Sequence, residues 1–367
     1  MVSDVIIMAG GFGERLWPAS SPSHPKQFIA LNDNISFLQE SLRRSLALKI
    51  KGKIVIVTRK DIEDECVRQV NALCAHCDDS DAKKLLGDTI VLAEPCPKHT
   101  AAAIMIGVSL IYKLEPLQKH TFLVLTSDHV INPVSKFTKD CKNAAKSAES
   151  GKFVCFSIPP IEASTGYGYI KAGKDLTGEG TTFAIEKFEE KPDLPTAQSY
   201  IQSGNYFWNS GMFAFCGEIF FNEMKNCTPE VFSSFECVIK GKKPLLKQKN
   251  GVYTIKSWKE MDLAYQSVTG IAVDKAIAEK TKNAAVIKAS FSWTDVGSWD
   301  TFSELCTNPT NNKVVQIECE NNFVYSDVPV SLCGVKNLVV VVKNGKVLVM
   351  EKGKSALVRE AVKQIEK

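Results

Sequence analysis

Short apolar runs bare of polar alternation, spaced by segments of helical length, restrict what this chain can become. They are Val5–Met8, Lys53–Thr58, Thr89–Ala93, Thr121–Leu125 and Phe153–Ser157. A strand with one wet face alternates apolar and polar residues. These runs do not, so both of their faces must be covered. The segments between them carry apolar residues at helical spacing: Ser36–Leu48, with Phe37, Leu38, Leu42 and Leu46 on one side and Ser36 able to cap it; Asp61–Cys74; Thr100–Leu114; and Pro133–Ser150. Strand and helix in alternation predict an α/β domain built on a mostly parallel, Rossmann-like sheet.

The pattern then changes. Gly166–Ile170, Thr182–Glu189 and Tyr206–Cys216 read as strands with fewer helices between them, and helical patterns return at Glu218–Lys225 and Asp274–Glu279. Val286–Ser292 reads as a strand leading into Trp293-Thr294-Asp295-Val296-Gly297-Ser298-Trp299. Beyond residue 310 the strands are short and closely spaced: Val314–Ile317, Phe323–Tyr325, Leu338–Val342 and Val347–Glu351, the last two joined through Asn344-Gly345, a strong hairpin signal. A terminal helix is expected over Lys354–Ile365. The expected organisation is a domain over residues 1–310 and a small β-rich tail over 311–367.

The first strand runs into Gly10-Gly11-Phe12-Gly13-Glu14-Arg15-Leu16-Trp17-Pro18, with Pro25-Lys26-Gln27 just beyond. Glycines let backbone N–H groups approach a phosphate, and two cations follow. Two familiar phosphate motifs are excluded. A dinucleotide fingerprint needs glycine where Leu16 stands, and a P-loop needs Lys-Ser/Thr where Glu14-Arg15 stands. Taken alone, the turn is either a phosphate cradle or a plain strand–turn.

In an open parallel sheet, ligands bind beyond the carboxyl ends of the strands. The glycine loop, Glu94-Pro95, Asp128-His129 and Asp295 all follow expected strands. Asp128 and Asp295 could hold a divalent cation jointly, since Mg²⁺ takes one or two carboxylates and completes its shell with phosphate and water. Each could equally serve a cap or a turn.

Composition narrows the classes. The 367 residues are 44% hydrophobic and 23% charged, with a formal net charge of +4. That is ample for a large core and gives no general affinity for nucleic acid or membrane. No apolar run reaches membrane-spanning length and no signal-peptide pattern opens the sequence, so a cytoplasmic protein is expected. The 12 cysteines are scattered and expected to be reduced. Cys74 and Cys77 have metal-knuckle spacing but lack a second pair to complete a site.

Seven motifs together make the chain resemble the sugar-nucleotide pyrophosphorylases, and within them the mannose-1-phosphate guanylyltransferases of the single-function type. They are Gly10–Pro18, Pro25-Lys26-Gln27-Phe28, Ser127-Asp128-His129, Gly166-Tyr167-Gly168-Tyr169-Ile170, Phe188-Glu189-Glu190-Lys191-Pro192, Trp208-Asn209-Ser210-Gly211-Met212-Phe213 and Trp293–Trp299. The resemblance implies a nucleotidyltransferase fold of glycosyltransferase-A type, a left-handed β-helix-like tail and a homodimer. The implied reaction joins GTP and mannose 1-phosphate to give GDP-mannose and pyrophosphate, with Mg²⁺.

The resemblance also implies roles. Gly10, Gly11, Gly13 and Arg15 would hold the triphosphate, and Lys26 the α-phosphate. Asp128 and Asp295 would hold Mg²⁺, and Lys191 the sugar phosphate. Glu190, Asn209 and the Gly168 backbone would bind sugar hydroxyls. Glu94, Pro95, Thr100 and Ser127 would lie along the nucleotide. A carboxylate at Glu94 suits guanine, which offers N1–H and the 2-amino group on one edge. The sequence departs from the family pattern at His99, Thr126, Lys275 and Ala278. These departures leave open another hexose 1-phosphate or nucleotide. A non-catalytic nucleotide-sugar-binding subunit is the reading from a different class.

Overall fold

The computed structural model describes residues 1–365 apart from Phe12, Asp33 and 308–311, and for Glu14 the backbone alone. The expected tail boundary at 310–311 lies outside the described residues. The chain packs as two units. The larger comprises Met1–Gly10, Ser41–Thr126 and Ile131–Trp293; the smaller comprises Gly11–Glu40, Ser127–Val130 and Thr294–Lys367.

The larger unit is built on an 11-stranded mixed sheet, in the order Lys247–Lys249, Val252–Ile255, Thr89–Glu94, Ile54–Arg59, Asp4–Met8, Thr121–Thr126, Tyr206–Cys216, Phe153–Ile158, Ala284–Lys288, Thr182–Glu189, Tyr169–Asp175. The first four expected strands pair with one another in parallel, with Val5 opposite Ile54 and Leu123, while Phe153–Ile158 pairs in parallel with Ala284–Lys288. Their apolar residues are almost all buried, as the unbroken runs require. Tyr206–Cys216 enters antiparallel between Thr121–Thr126 and Phe153–Ile158, which makes the sheet mixed. Helix His99–Leu114 contributes a nearly continuous buried surface to the core. Its apolar character runs round most of its circumference, as suits a central helix.

Several bounds differ from the sequence reading. The strand expected at Gly166–Ile170 begins only at Tyr169 and runs to Asp175. The strand expected over Val286–Ser292 is Ala284–Lys288, followed by a separate short strand, Ser292–Thr294. Helices at Asp79–Asp88, Leu194–Ser203 and Lys259–Ser267, and the strand Val252–Ile255, carry no expectation from the sequence.

The smaller unit has its own apolar core. Leu16, Trp17, Ile29 and Phe37 from the early segment join Val296, Trp299, Phe302, Phe323, Val339, Val341, Val358 and Val362. Trp299 is fully buried, and its indole N–H donates to the Trp17 carbonyl at 2.8 Å. Ser36 caps the helix Phe37–Ala47 reciprocally: the Gln39 N–H donates to Ser36 Oγ, and the Ser36 N–H to Gln39 Oε1. In the tail, Val314–Ile317 pairs in parallel with Val330–Cys333, and Phe323–Ser326 with Leu338–Lys343, which forms a hairpin with Lys346–Glu351. Parallel pairing of each short strand with the next but one is the signature of a β-helix-like coil. The terminal helix is Val358–Ile365, preceded by a 3₁₀ turn at Ser355–Leu357. No described helix is long and apolar enough to cross a membrane.

Candidate active site

In the smaller unit, the glycine loop and Lys26 are locked together. Gly13 has φ +64, and a Cβ there would fall 2.5 Å from Lys26 Cβ and 2.7 Å from its backbone nitrogen. Only glycine permits both the left-handed backbone and the contact. Lys26 is buried, and its ammonium donates to Asp128 Oδ2 at 3.0 Å and to the Asp295 carbonyl oxygen. One cation therefore ties together the two aspartates singled out in the sequence. Burial would raise the Asp128 carboxyl. The Lys26 ammonium and His129 outweigh it and hold the group below its ordinary value, so Asp128 is an anion at neutral pH.

The Asp295 carboxylate accepts from the Gly297 N–H at 3.2 Å. A Cβ on Gly297 would lie 3.0 Å from both Arg15 Nη1 and Asp295 Oδ2, so this glycine keeps room between cation and carboxylate. A cavity of about 320 Å³ opens at this place, lined by Gly13, Arg15, Lys26, Asp128 and Gly297, with Leu16 and Arg359 completing the wall. Its size is that of a small-molecule site, and its lining is cationic with one carboxylate. The two aspartates offer hard oxygen donors, the chemistry that Mg²⁺ prefers. Among the described residues, no group of three or more His, Cys, Asp or Glu could hold a metal ion.

The larger unit holds two further clusters. At the end of strand Thr89–Glu94, the Glu94 carboxylate is buried and accepts from the Tyr265 hydroxyl at 2.5 Å. Burial pushes its pKa from 4.5 up to about 7, and the Tyr265 bond pulls against that rise. A Cβ on Gly10 would touch Glu94 Oε2 at 3.4 Å, so the glycine that follows the first strand leaves this carboxylate its space. Thr100 accepts from the Val273 N–H at 2.9 Å, which joins the start of helix His99–Leu114 to the turn at 274.

The second cluster gathers Gly168, Glu190, Lys191 and Asn209. Lys191 Nζ pairs with Glu190 Oε1 at 3.0 Å and stays largely exposed, while Glu190 is mostly covered. Gly168 is tightly constrained: a Cβ would fall 2.5 Å from Glu190 Oε2. The Asn209 backbone N–H donates to the Gly168 carbonyl at 2.7 Å. The Asn209 side-chain amide donates to Asp274 Oδ1 at 2.6 Å. Burial, then repulsion from Glu190, raises Asp274 to about 6. Lys275 is exposed, and Ala278 is buried.

Residues 4–312 match the family model described as nucleotidyl transferase, and residues 312–365 match the MannoseP isomerase/GMP-like beta-helix domain. Mannose-1-phosphate guanylyltransferase RfbM of Salmonella typhimurium is 34% identical over 355 residues, 95% of this chain and 69% of that protein. The mannose-1-phosphate guanylyltransferase of Escherichia coli K12 is 34% identical over 370 residues, 98% of this chain and 73% of that protein. The chain belongs to the mannose-1-phosphate guanylyltransferase family. It is thereby a nucleotidyltransferase. A solved structure named as mannose-1-phosphate geranyltransferase, from Thermus thermophilus, superposes over 100% of both chains with a TM-score of 0.80 at 28% identity.

Within this guanylyltransferase-family chain, three residues of the clusters escaped the sequence reading. Tyr265 lies in a helix without a strong periodic signal. Asp274 stands beside Lys275 in a stretch whose departures from the family pattern are Lys275 and Ala278. Arg359 lies in the tail, far along the chain from the glycine loop. Cys74 and Cys77 are free thiols, and burial raises both.

Proposed function

We propose that the chain transfers GMP from GTP to mannose 1-phosphate, giving GDP-mannose and pyrophosphate. The observation that carries this reading is the Lys26 ammonium bridging Asp128 and Asp295 at the wall of a cationic cavity lined by the glycine loop. A sugar-phosphate oxygen attacks the α-phosphorus, the bond to the oxygen bridging the α- and β-phosphates breaks, and pyrophosphate leaves with the electron pair. The nucleophile is already an anion, so no general base is needed. Catalysis rests on positioning and charge neutralisation.

Arg15 and the loop amides take the β- and γ-phosphates, and Lys26 steadies the α-phosphate as negative charge shifts onto the leaving group. Asp128 and Asp295 would hold Mg²⁺, which when bound supplies Lewis-acid neutralisation of phosphate charge. Lys191 anchors the sugar phosphate as a point charge. Glu190, Asn209 and, beside them, Asp274 accept from or donate to sugar hydroxyls. Glu94, when ionised, accepts from guanine N1–H and the 2-amino group. Pro95, Thr100 and Ser127 shape the nucleotide's surroundings. The chain also acts as a homodimer in this reading, with Val347 and Val349 exposed on the edge strand Lys346–Glu351 as the self-associating surface.

The test is pyrophosphate release from GTP, UTP, ATP and dTTP, each with mannose 1-phosphate or glucose 1-phosphate, with and without Mg²⁺. Turnover confined to GTP, mannose 1-phosphate and Mg²⁺ is expected. Silence in every combination would defeat the reading.

A further inference from the structure

We infer that Arg359, on the terminal helix of the β-rich tail, is a further phosphate-binding residue that grips the terminal phosphates of the nucleotide and the pyrophosphate formed from them. The inference rests on the nucleotidyltransferase reading of the cavity. Arg359 lines the same cavity as Arg15, Lys26 and Asp128. Its position is built from two sides. Val358 and Val362, one helical turn apart, are buried in the core that also holds Leu16 and Trp17, which fixes the helix against the glycine-loop segment. Before the helix, Asp300 clamps the turn: its carboxylate accepts from the Gly353 N–H at 2.7 Å and the Ser355 N–H at 3.2 Å, while Ser355 Oγ accepts from the Asp300 N–H at 3.0 Å. Asp300 lies five residues beyond Asp295, so the segment carrying one aspartate of the site also orders the turn that leads to Arg359.

The charges at the cavity are unequally committed. Lys26 already donates to Asp128 and the Asp295 carbonyl, which leaves one N–H of its ammonium for a phosphate oxygen. The Arg15 and Arg359 side chains make no hydrogen bond or ion pair with any described residue. Two guanidinium groups so disposed on one small cavity are poised for a ligand of high negative charge, and guanidinium binds phosphate through two parallel N–H donors. Pyrophosphate and the β,γ end of a triphosphate have that charge. Arg359 is exposed, so packing has no need of its charge.

The experiment compares Arg359→Ala, Arg359→Lys and, as a control on the same helix outside the cavity, Lys363→Ala. Calorimetry measures inorganic pyrophosphate binding to the full chain. Steady-state kinetics in both directions give KM for GTP, pyrophosphate, mannose 1-phosphate and GDP-mannose. Loss of one charge-assisted phosphate contact should weaken pyrophosphate binding and raise KM for GTP and pyrophosphate by about tenfold to a hundredfold in Arg359→Ala. KM for the two sugar substrates should stay unchanged, Arg359→Lys should recover part of the loss, and Lys363→Ala should behave as wild type. The same pyrophosphate and GTP parameters in Arg359→Ala and wild type, with matching thermal unfolding, would overturn the inference. Arg359-dependent pyrophosphate binding in a wild-type chain that turns over no nucleotide would uphold the anion site and refute the catalytic reading instead.

Discussion

Glu94→Gln separates an electrostatic cost in the fold from a gain in recognition. In the folded chain, burial holds the Glu94 carboxyl at about 7 instead of 4.5. The folded state therefore binds this proton more tightly than the unfolded state. The sign follows: stability is full below pH 4.5, falls as pH rises through the interval, and reaches its floor above about 7. The gap corresponds to roughly 3 kcal/mol. Glutamine keeps an oxygen to accept the Tyr265 hydroxyl and never ionises. The variant should then match wild type in denaturant unfolding near pH 4.5 and exceed it by up to that amount at about pH 8. Recognition moves the other way. On the proposed contact of guanine with the carboxylate, kcat/KM for GTP in wild type should rise with pH through about 7, while the variant loses its preference for GTP over UTP and shows no such rise. Paired unfolding curves and GTP/UTP kinetics from about pH 5 to about pH 8.5 provide the assay. A stability difference that does not change with pH, or an intact guanine preference in the variant, would refute the reasoning.

Gly13→Ala forces a side chain into left-handed backbone and onto Lys26; a loss of about 1–3 kcal/mol in stability and a large fall in kcat should appear together in unfolding and turnover assays. Asp295→Ala keeps the backbone carbonyl that Lys26 uses and removes only the carboxylate, so Mg²⁺-dependent turnover should be abolished at a near-normal unfolding temperature. Ser36→Ala deletes one half of a reciprocal cap and should cost about 1 kcal/mol by denaturant unfolding, with the kinetic parameters retained.

The first half of the sheet was legible because its strands are buried on both faces and so lack alternation, a signal that needs no knowledge of neighbours. The cap at Ser36 and the tail hairpin at Asn344-Gly345 were legible for the same reason: each is a local preference of the chain. Strand order was not, because nothing in Tyr206–Cys216 says that it will lie antiparallel between two strands earlier in sequence. The helix Leu194–Ser203 did carry signals, with the Asp193 side chain accepting from the Thr196 N–H and Gly204 ending it at φ +70; its weak periodicity let it pass unread. Among candidate site residues, those beside glycines or strand ends stand out in the sequence. Asp274 does not, since a single irregular turn at 274–278 sets its burial and its Asn209 partner. Arg359 does not, since its meaning depends on packing between segments at opposite ends of the sequence.

That packing has a consequence for how the protein comes into being. Trp17 and Trp299 are hydrogen-bonded across 282 positions, and Leu16 shares a core with Val358 and Val362. Closing so long a loop is slow, and during synthesis it cannot begin until the later segment has left the ribosome. The large sheet is encoded by residue 288, so it can condense while the glycine loop still lacks its apolar floor. A growing chain would then carry a finished sheet and an unassembled phosphate pocket. The proposed nucleotide grip would wait for translation of the tail, and a chain cut short within the tail would lack it.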